Sequence, residues 1–143
     1  VENKINLPFY GIELMQLNLT LGVADLKKSE KFYREILLFS PEFFRNSNAE
    51  KAYFMLSCGG TNIVFQQLHD MELQHPALLQ NLTRTPLGAG VQLELSCANL
   101  DDIYRKIKHY CWPIAYELED QEYRRRELWL HDPDGYLLVL NEE

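Results

Sequence analysis

Only three of the 143 residues are cysteine: Cys58, Cys97 and Cys111. The number is odd and no C-x-x-C spacing occurs. Neither a disulfide framework nor a structural zinc site is therefore expected. Cys97 falls in an apolar stretch, where a free thiol packs as a small hydrophobe. Positive charge is also short, with 14 Lys and Arg against 21 Asp and Glu, a formal net charge of −7. That balance argues against nucleic acid and anionic membranes as partners, and it is compatible with a cationic ligand. No apolar run approaches the ~18 residues of a membrane-spanning helix, and no leader-like segment occurs. With free thiols, this makes the cytoplasm the expected location. A nucleotide-binding glycine fingerprint, a phosphate loop and a Ser-His-Asp or Cys-His order are all missing. The four histidines are scattered. His69 and His75 lie in a polar central segment, His109 late in a predicted helix and His131 beside a turn, with no metal-ligand spacing.

What is present is a regular alternation of apolar and polar residues. In the stretch LMQLNLTLGV, Leu17, Leu19, Leu21 and Val23 point one way, and Asn18, Thr20 and Gly22 the other. That is the period of a half-buried strand. An amphipathic helix follows, with Asp25 as its N-cap and Leu26, Phe32, Tyr33, Ile36 and Leu37 as its apolar face. Residues 51–67 read as two strands joined at Gly59-Gly60. Residues 68–90 read as a polar linker, with a short helix expected around HPALLQNL.

The opening plan then repeats. Val91, Leu93, Leu95 and Cys97 face one side of a strand, and Gln92, Glu94 and Ser96 the other. Asn99 is the expected cap of the next helix, with Asp102 in the reciprocal position of a capping box. Leu100, Ile103, Tyr104 and Ile107 form its stripe, and Pro113 marks its end. Strands are expected in PIAYELE, RRELWLH and YLLVLN. Between the last two, Asp132-Pro133-Asp134-Gly135 specifies a tight turn. Pro133 pre-sets φ, Asp132 bonds back to the backbone and Gly135 takes the positive-φ position. Ala24-Asp25-Leu26 recurs as Ala98-Asn99-Leu100. Gly60 before Thr61–Phe65 recurs as Gly135 before Tyr136–Leu140, at nearly the same separation. Each half thus reads β-α-β-β-β, a duplicated module. The expected class is α+β in a single domain over residues 1–143. Its two βαβββ modules, 15–67 and 91–142, are joined by the linker 68–90.

With the opening GVADLKKSEKFYREILLF, the Arg126-Glu127 pair, the DPDG turn and the duplicated spacing, the sequence resembles the glyoxalase / bleomycin resistance / extradiol dioxygenase superfamily, the vicinal oxygen chelate proteins. The resemblance spans roughly residues 15–142 and is nearest to the bleomycin-resistance and glyoxalase-like branch. It implies a mixed sheet curled round a cavity, with helices on the convex side. In metal-using members, an early position in the first strand of each module, usually His, and a late position in the last strand, usually Glu, hold the metal. Here these positions fall at Asn18, Gln92, Val64 and Val139. Two carboxamides and two hydrocarbons do not hold a transition metal.

The resemblance therefore implies a metal-free protein with no cofactor, which binds or sequesters a small molecule. The expected lining is Asn18, Thr20, Val64, Gln92, Glu94, Ser96, Glu127, Trp129 and Val139. A carboxylate beside an aromatic face suits a cationic or planar ligand. The alternative is a lyase, isomerase or dioxygenase with displaced metal ligands. No catalytic residue is nominated. The resemblance also implies a homodimer whose second chain helps complete each cavity, with the segment VENKINLPFYGIE reaching across. The charge run ELEDQEYRRREL reads as a solvated loop.

Overall fold

A computed structural model describes residues 16–45 and 51–142. The first module runs β1 (Leu17–Val23), α1 (Leu26–Lys31), β2 (Glu42–Arg45), β3 (Ala52–Cys58) and β4 (Thr61–Gln67). A second helix, α2 (Leu68–Gln74), leaves β4 directly. The second module runs β5 (Gln92–Cys97), α3 (Leu100–His109), β6 (Tyr116–Asp120), β7 (Arg125–His131) and β8 (Leu137–Glu142). The strands form two four-stranded mixed sheets, ordered β1-β4-β3-β2 and β5-β8-β7-β6. In each, the first strand pairs in parallel with the last and the others pair antiparallel. Two βαβββ modules are thus present, as the repeat predicts. Each module contributes one four-stranded mixed sheet, and no ladder among the described residues joins β1 to β5.

The strand alternation decides which face is buried. Leu21, Val23, Phe54, Leu56, Ile63 and Phe65 of the first sheet share one core with Leu128, Leu130, Leu138 and Leu140 of the second. The helices supply the rest: Leu26, Phe32, Tyr33, Ile36 and Leu37 from the first module, and Leu100, Ile103 and Ile107 from α3. The helical face read from the sequence is therefore the buried face. Asp25 caps α1 by accepting from Lys28 N at 3.1 Å. Beyond Lys31 the helix widens into a π turn, Phe32–Ile36, closed by Leu37 N donating to Phe32 O. Asn99, in contrast, makes no side-chain cap bond. Asp101 and Asp102 in the first turn of α3 complement the helix dipole instead.

The helix expected around HPALLQNL lies earlier, at Leu68–Gln74. Pro76 explains the shift. The residue before a proline is driven out of the α region, and His75, at φ −142°, ψ 73°, ends the helix there. The polar linker continues as turns and a single 3-10 turn, Leu82–Arg84. The segment expected to reach a partner chain, residues 1–13, lies outside the described residues.

The DPDG turn joins the modules as well as closing a hairpin. Asp132 Oδ1 accepts from Asp134 N and Tyr136 N, both at 2.9 Å, and Gly135 sits at φ +98°. Asp132 Oδ2 accepts from the Tyr33 hydroxyl at 2.7 Å. Asp134 accepts from Ala24 N at 2.8 Å and from Ser29 Oγ at 3.0 Å. The Tyr136 hydroxyl donates to Gly22 O at 2.8 Å. One turn of the second module therefore holds the start of the first helix.

Candidate functional site

The same alternation that builds the core leaves a polar face on each sheet. Asn18, Thr20 and Val64 lie on the first, and Gln92, Glu94, Ser96, Glu127, Trp129 and Val139 on the second. The nine residues singled out from the sequence therefore form two groups on separate sheets. In the first group, Asn18 Oδ1 accepts from Asn62 Nδ2 at 3.2 Å, and Thr20 stands opposite Val64. Asn18 and Thr20 are exposed and Val64 is half-buried. In the second group, Gln92 is exposed opposite Leu137.

The second sheet carries the more organised surface. One row crosses four strands, with Glu94 opposite Val139, Val139 opposite Trp129 and Trp129 opposite Tyr116. Neighbouring strands lie about 4.8 Å apart, so the row sets a carboxylate, a hydrocarbon, an indole and a phenol in sequence. Val139 is closed to solvent at 1% exposure, and Trp129 is half-buried with Tyr116 edge-on at 5.8 Å. The indole is fixed from the next row. Glu127, 7% exposed, accepts from Trp129 Nε1 at 3.1 Å and from an Arg125 guanidinium nitrogen at 3.2 Å. Both Glu127 oxygens are thereby engaged.

Asn141 ties the other end of this face together. Its amide donates to Glu94 Oε1 at 2.6 Å and accepts from Ser96 Oγ at 2.9 Å. Sequence reading missed Asn141: its parity with Val139 puts it on the same face, but its place between Ser96 and Glu127 follows only from the strand register.

Glu94 and Ser96 also line a cleft of about 690 Å³ at the junction of the modules. Its opposite side comes from Ser40, Glu42, Met55, Ser57, Cys58 and Gly59, with Phe39, Leu56 and Leu95 completing it. Glu42 and Glu94 are the only charged residues in that lining. None of this first-module lining was anticipated, because the meeting of β5 with β2 and β3 has no local sequence signature.

Neither cysteine at this junction, Cys58 or Cys97, offers an activated nucleophile. Burial, with a smaller contribution from nearby Cys58, pushes the Cys97 thiol up to about 11, and burial also raises Cys58. A thiol raised in this way stays protonated near neutral pH. Among the described residues no group of three or more His, Cys, Asp or Glu side chains could hold a metal ion. The four positions to which the resemblance assigns a metal carry residues that do not fit one. Asn18 and Gln92 are carboxamides, Asn18 is bonded to Asn62, and Val64 and Val139 offer no donor atom.

With this fold and face in hand, the chain can be placed among known proteins. The sequence pattern of the Glyoxalase/Bleomycin resistance protein/Dioxygenase superfamily matches residues 16–140, and the chain belongs to that superfamily. Solved structures share the fold at low identity. An integron cassette protein from the mobile metagenome of V. cholerae is 18% identical, with a TM-score of 0.59 over 90% of this chain and 94% of its own. A lactoylglutathione lyase from Agrobacterium tumefaciens is 16% identical, with a TM-score of 0.56 over 90% of this chain and 93% of its own. A glyoxalase-related enzyme from Fulvimarina pelagi is 16% identical, with a TM-score of 0.64 over 91% of this chain and 88% of its own. No curated protein sequence matches the chain significantly.

Proposed function

We propose that this superfamily member is a metal-independent binding protein of the bleomycin-resistance type, which holds a small cationic aromatic molecule on the polar face of its second sheet. The observation that carries the reading is the row Glu94–Val139–Trp129–Tyr116. Glu94 offers charge, and Trp129, pinned by Glu127, offers a fixed aromatic surface. A cation near an aromatic face gains on the order of 0.5–2 kcal/mol. The acidic cleft beside Glu94 supports the same sign of ligand charge.

The working form is a homodimer in the cytoplasm. Among the described residues, strands β1 and β5 are each hydrogen-bonded on one side only, and Leu17 and Val91 beside those edges are exposed. Free strand edges of this kind are templates for pairing. A stable interface buries at least about 1,000 Å². Light scattering should give twice the chain mass at tens of micromolar; the monomer mass there removes the dimer from the account. No described helix is long and apolar enough to cross a membrane.

The ligand reading is tested with ethidium, its uncharged parent phenanthridine, and anilinonaphthalene sulfonate. Thermal shift and quenching of tryptophan fluorescence report binding. Ethidium should bind most tightly and the sulfonate least. Equal affinity for all three, or preference for the anion, overturns the charge assignment.

A further inference from the structure

The duplication supplies an internal control for the polar face. What the fold itself requires should recur in both modules; what serves one function need not. The turn glycines Gly60 and Gly135 recur, as do Leu26 and Leu100, both buried at the start of a helix. By their places ahead of Ala24 and Ala98, Thr20 is the counterpart of Glu94, and Gly22 of Ser96. By their places after Gly60 and Gly135, Val64 is the counterpart of Val139, and Gln66 of Asn141. The ladders agree: Thr20 pairs with Val64 as Glu94 pairs with Val139, and Gly22 pairs with Gln66 as Ser96 pairs with Asn141.

The valine is thus common to both modules, and the hydrogen-bonded set Glu94–Asn141–Ser96, with its one charge, belongs to the second alone. At the matching place in the first sheet the space is taken by the side chains of Leu68 and Met71. A Cβ on Gly22 would lie 2.4 Å from Leu68 Cδ2 and 2.9 Å from Met71 Sδ, since α2 covers that end of the sheet. In the second module the place is open, and Glu94 and Ser96 are exposed. The fold closes this position with a helix in one module and leaves it polar and accessible in the other.

Asn141 is the centre of that difference. It is half-buried behind the two cleft-lining groups and bonds to both. The orientation of its amide follows from chemistry. Reversing it would set Oδ1 against the Glu94 carboxylate, acceptor to acceptor, so the donor must face Glu94. A hydrogen bond to a charged group is stronger than a neutral one. One Glu94 oxygen is thereby anchored, and the carboxylate keeps the other for a ligand without first losing rotamer freedom.

We infer that Asn141 is a positioning residue for cation recognition, which acts through Glu94; its counterpart in the first module, Gln66, has no such carboxylate to position, because Thr20 stands at the place of Glu94. The inference rests on the binding reading above and adds to it the residue that fixes the charge. It also predicts which interactions are coupled. Replacing Asn141 should weaken a cation while leaving an uncharged aromatic unaffected, and should do nothing further once Glu94 has lost its charge.

The experiment is a double-mutant cycle in the full chain, with ethidium and phenanthridine as probes. Asn141→Leu and Glu94→Gln should each weaken ethidium about tenfold, the scale of a hydrogen bond to a charged group. The double variant should match Glu94→Gln alone, and phenanthridine affinity should change less than about twofold in all three. Losses that multiply in the double variant, an equal loss for phenanthridine, or no loss in Asn141→Leu overturn the inference and leave the binding reading standing. A wild-type chain that holds ethidium no better than phenanthridine overturns both. If Asn141→Leu fails to fold, Asn141→Val, which suits a strand and also removes the amide, takes its place in the cycle.

Discussion

The Tyr33 hydroxyl of the first module donates to Asp132 Oδ2 of the second across 2.7 Å, and both side chains are buried. Three elements meet at this bond: the π turn of the first helix, the turn between β7 and β8, and the core shared by the sheets. Burial, together with the Asp132 charge, holds the Tyr33 hydroxyl well above its ordinary range, so it remains a donor. Tyr33→Phe leaves a buried carboxylate oxygen without that donor. The expected cost is about 1–3 kcal/mol of unfolding free energy, read from urea denaturation. A change under about 0.5 kcal/mol would show that the bond contributes nothing to joining the modules.

Asp132 also sets a pH dependence. Burial raises its carboxyl above the ordinary aspartate range, against the lowering effect of the bonds from Tyr33, Tyr136 and Asp134. In the window between the unfolded and folded values, the native state therefore binds more protons than the unfolded state. Stability contributed by this group falls as pH rises through the window, and the cost is constant above it. Asp132→Asn removes the titration and keeps an acceptor for the backbone donors. The wild type minus Asp132→Asn difference in stability should fall as pH rises above the ordinary aspartate value. Tyr33→Phe removes a bond that lowers the Asp132 value, so it should extend that fall to higher pH. A difference that rises with pH contradicts the sign.

The cap on α1 makes a smaller contribution. Asp25 accepts from Lys28 N, and Asp25→Ala should cost about 1 kcal/mol. Asn99, which makes no such bond, is the control, and Asn99→Ala should cost less. Reversal of that order in thermal unfolding would contradict the two capping geometries.

Trp129 and Glu94 should matter to binding more than to folding. Trp129 faces away from Leu128 and Leu130, both fully buried, so Trp129→Phe leaves the core intact. It should weaken planar ligands and leave stability within about 1 kcal/mol. Glu127→Gln should loosen the indole by weakening its fixed acceptor, which should broaden the tryptophan emission. If Trp129→Phe or Glu94→Gln instead unfolds several kcal/mol more easily, the polar face is structural.

Much of this architecture was legible from local chemistry. The parity of Leu93, Glu94, Leu95 and Ser96 placed Glu94 on the polar face, and the parity of Leu128, Trp129 and Leu130 did the same for the indole. Asp132, Pro133 and Gly135 specified their turn. The duplicated spacing implied a strand after the first helix without locating it, because Glu42–Arg45 has only four residues. The helix at Leu68–Gln74 was misplaced because the apolar residues after Pro76 outweighed the constraint that Pro76 puts on His75. The cleft, and the role of Asn141, depend on tertiary placement and strand register, which single residues do not announce.

The central claim of the proposed function is that recognition is metal-independent: the positions that the resemblance assigns to a metal carry Asn18, Val64, Gln92 and Val139. The most direct test is elemental analysis of the chain purified without chelator and without nickel resin, with added Zn²⁺, Ni²⁺, Mn²⁺ or Fe²⁺ removed by equilibrium dialysis. The account predicts far less than one equivalent of any of these metals, with ethidium binding unchanged by their addition. One equivalent of metal, lost when Asn18 and Gln92 are both replaced by leucine, would contradict it.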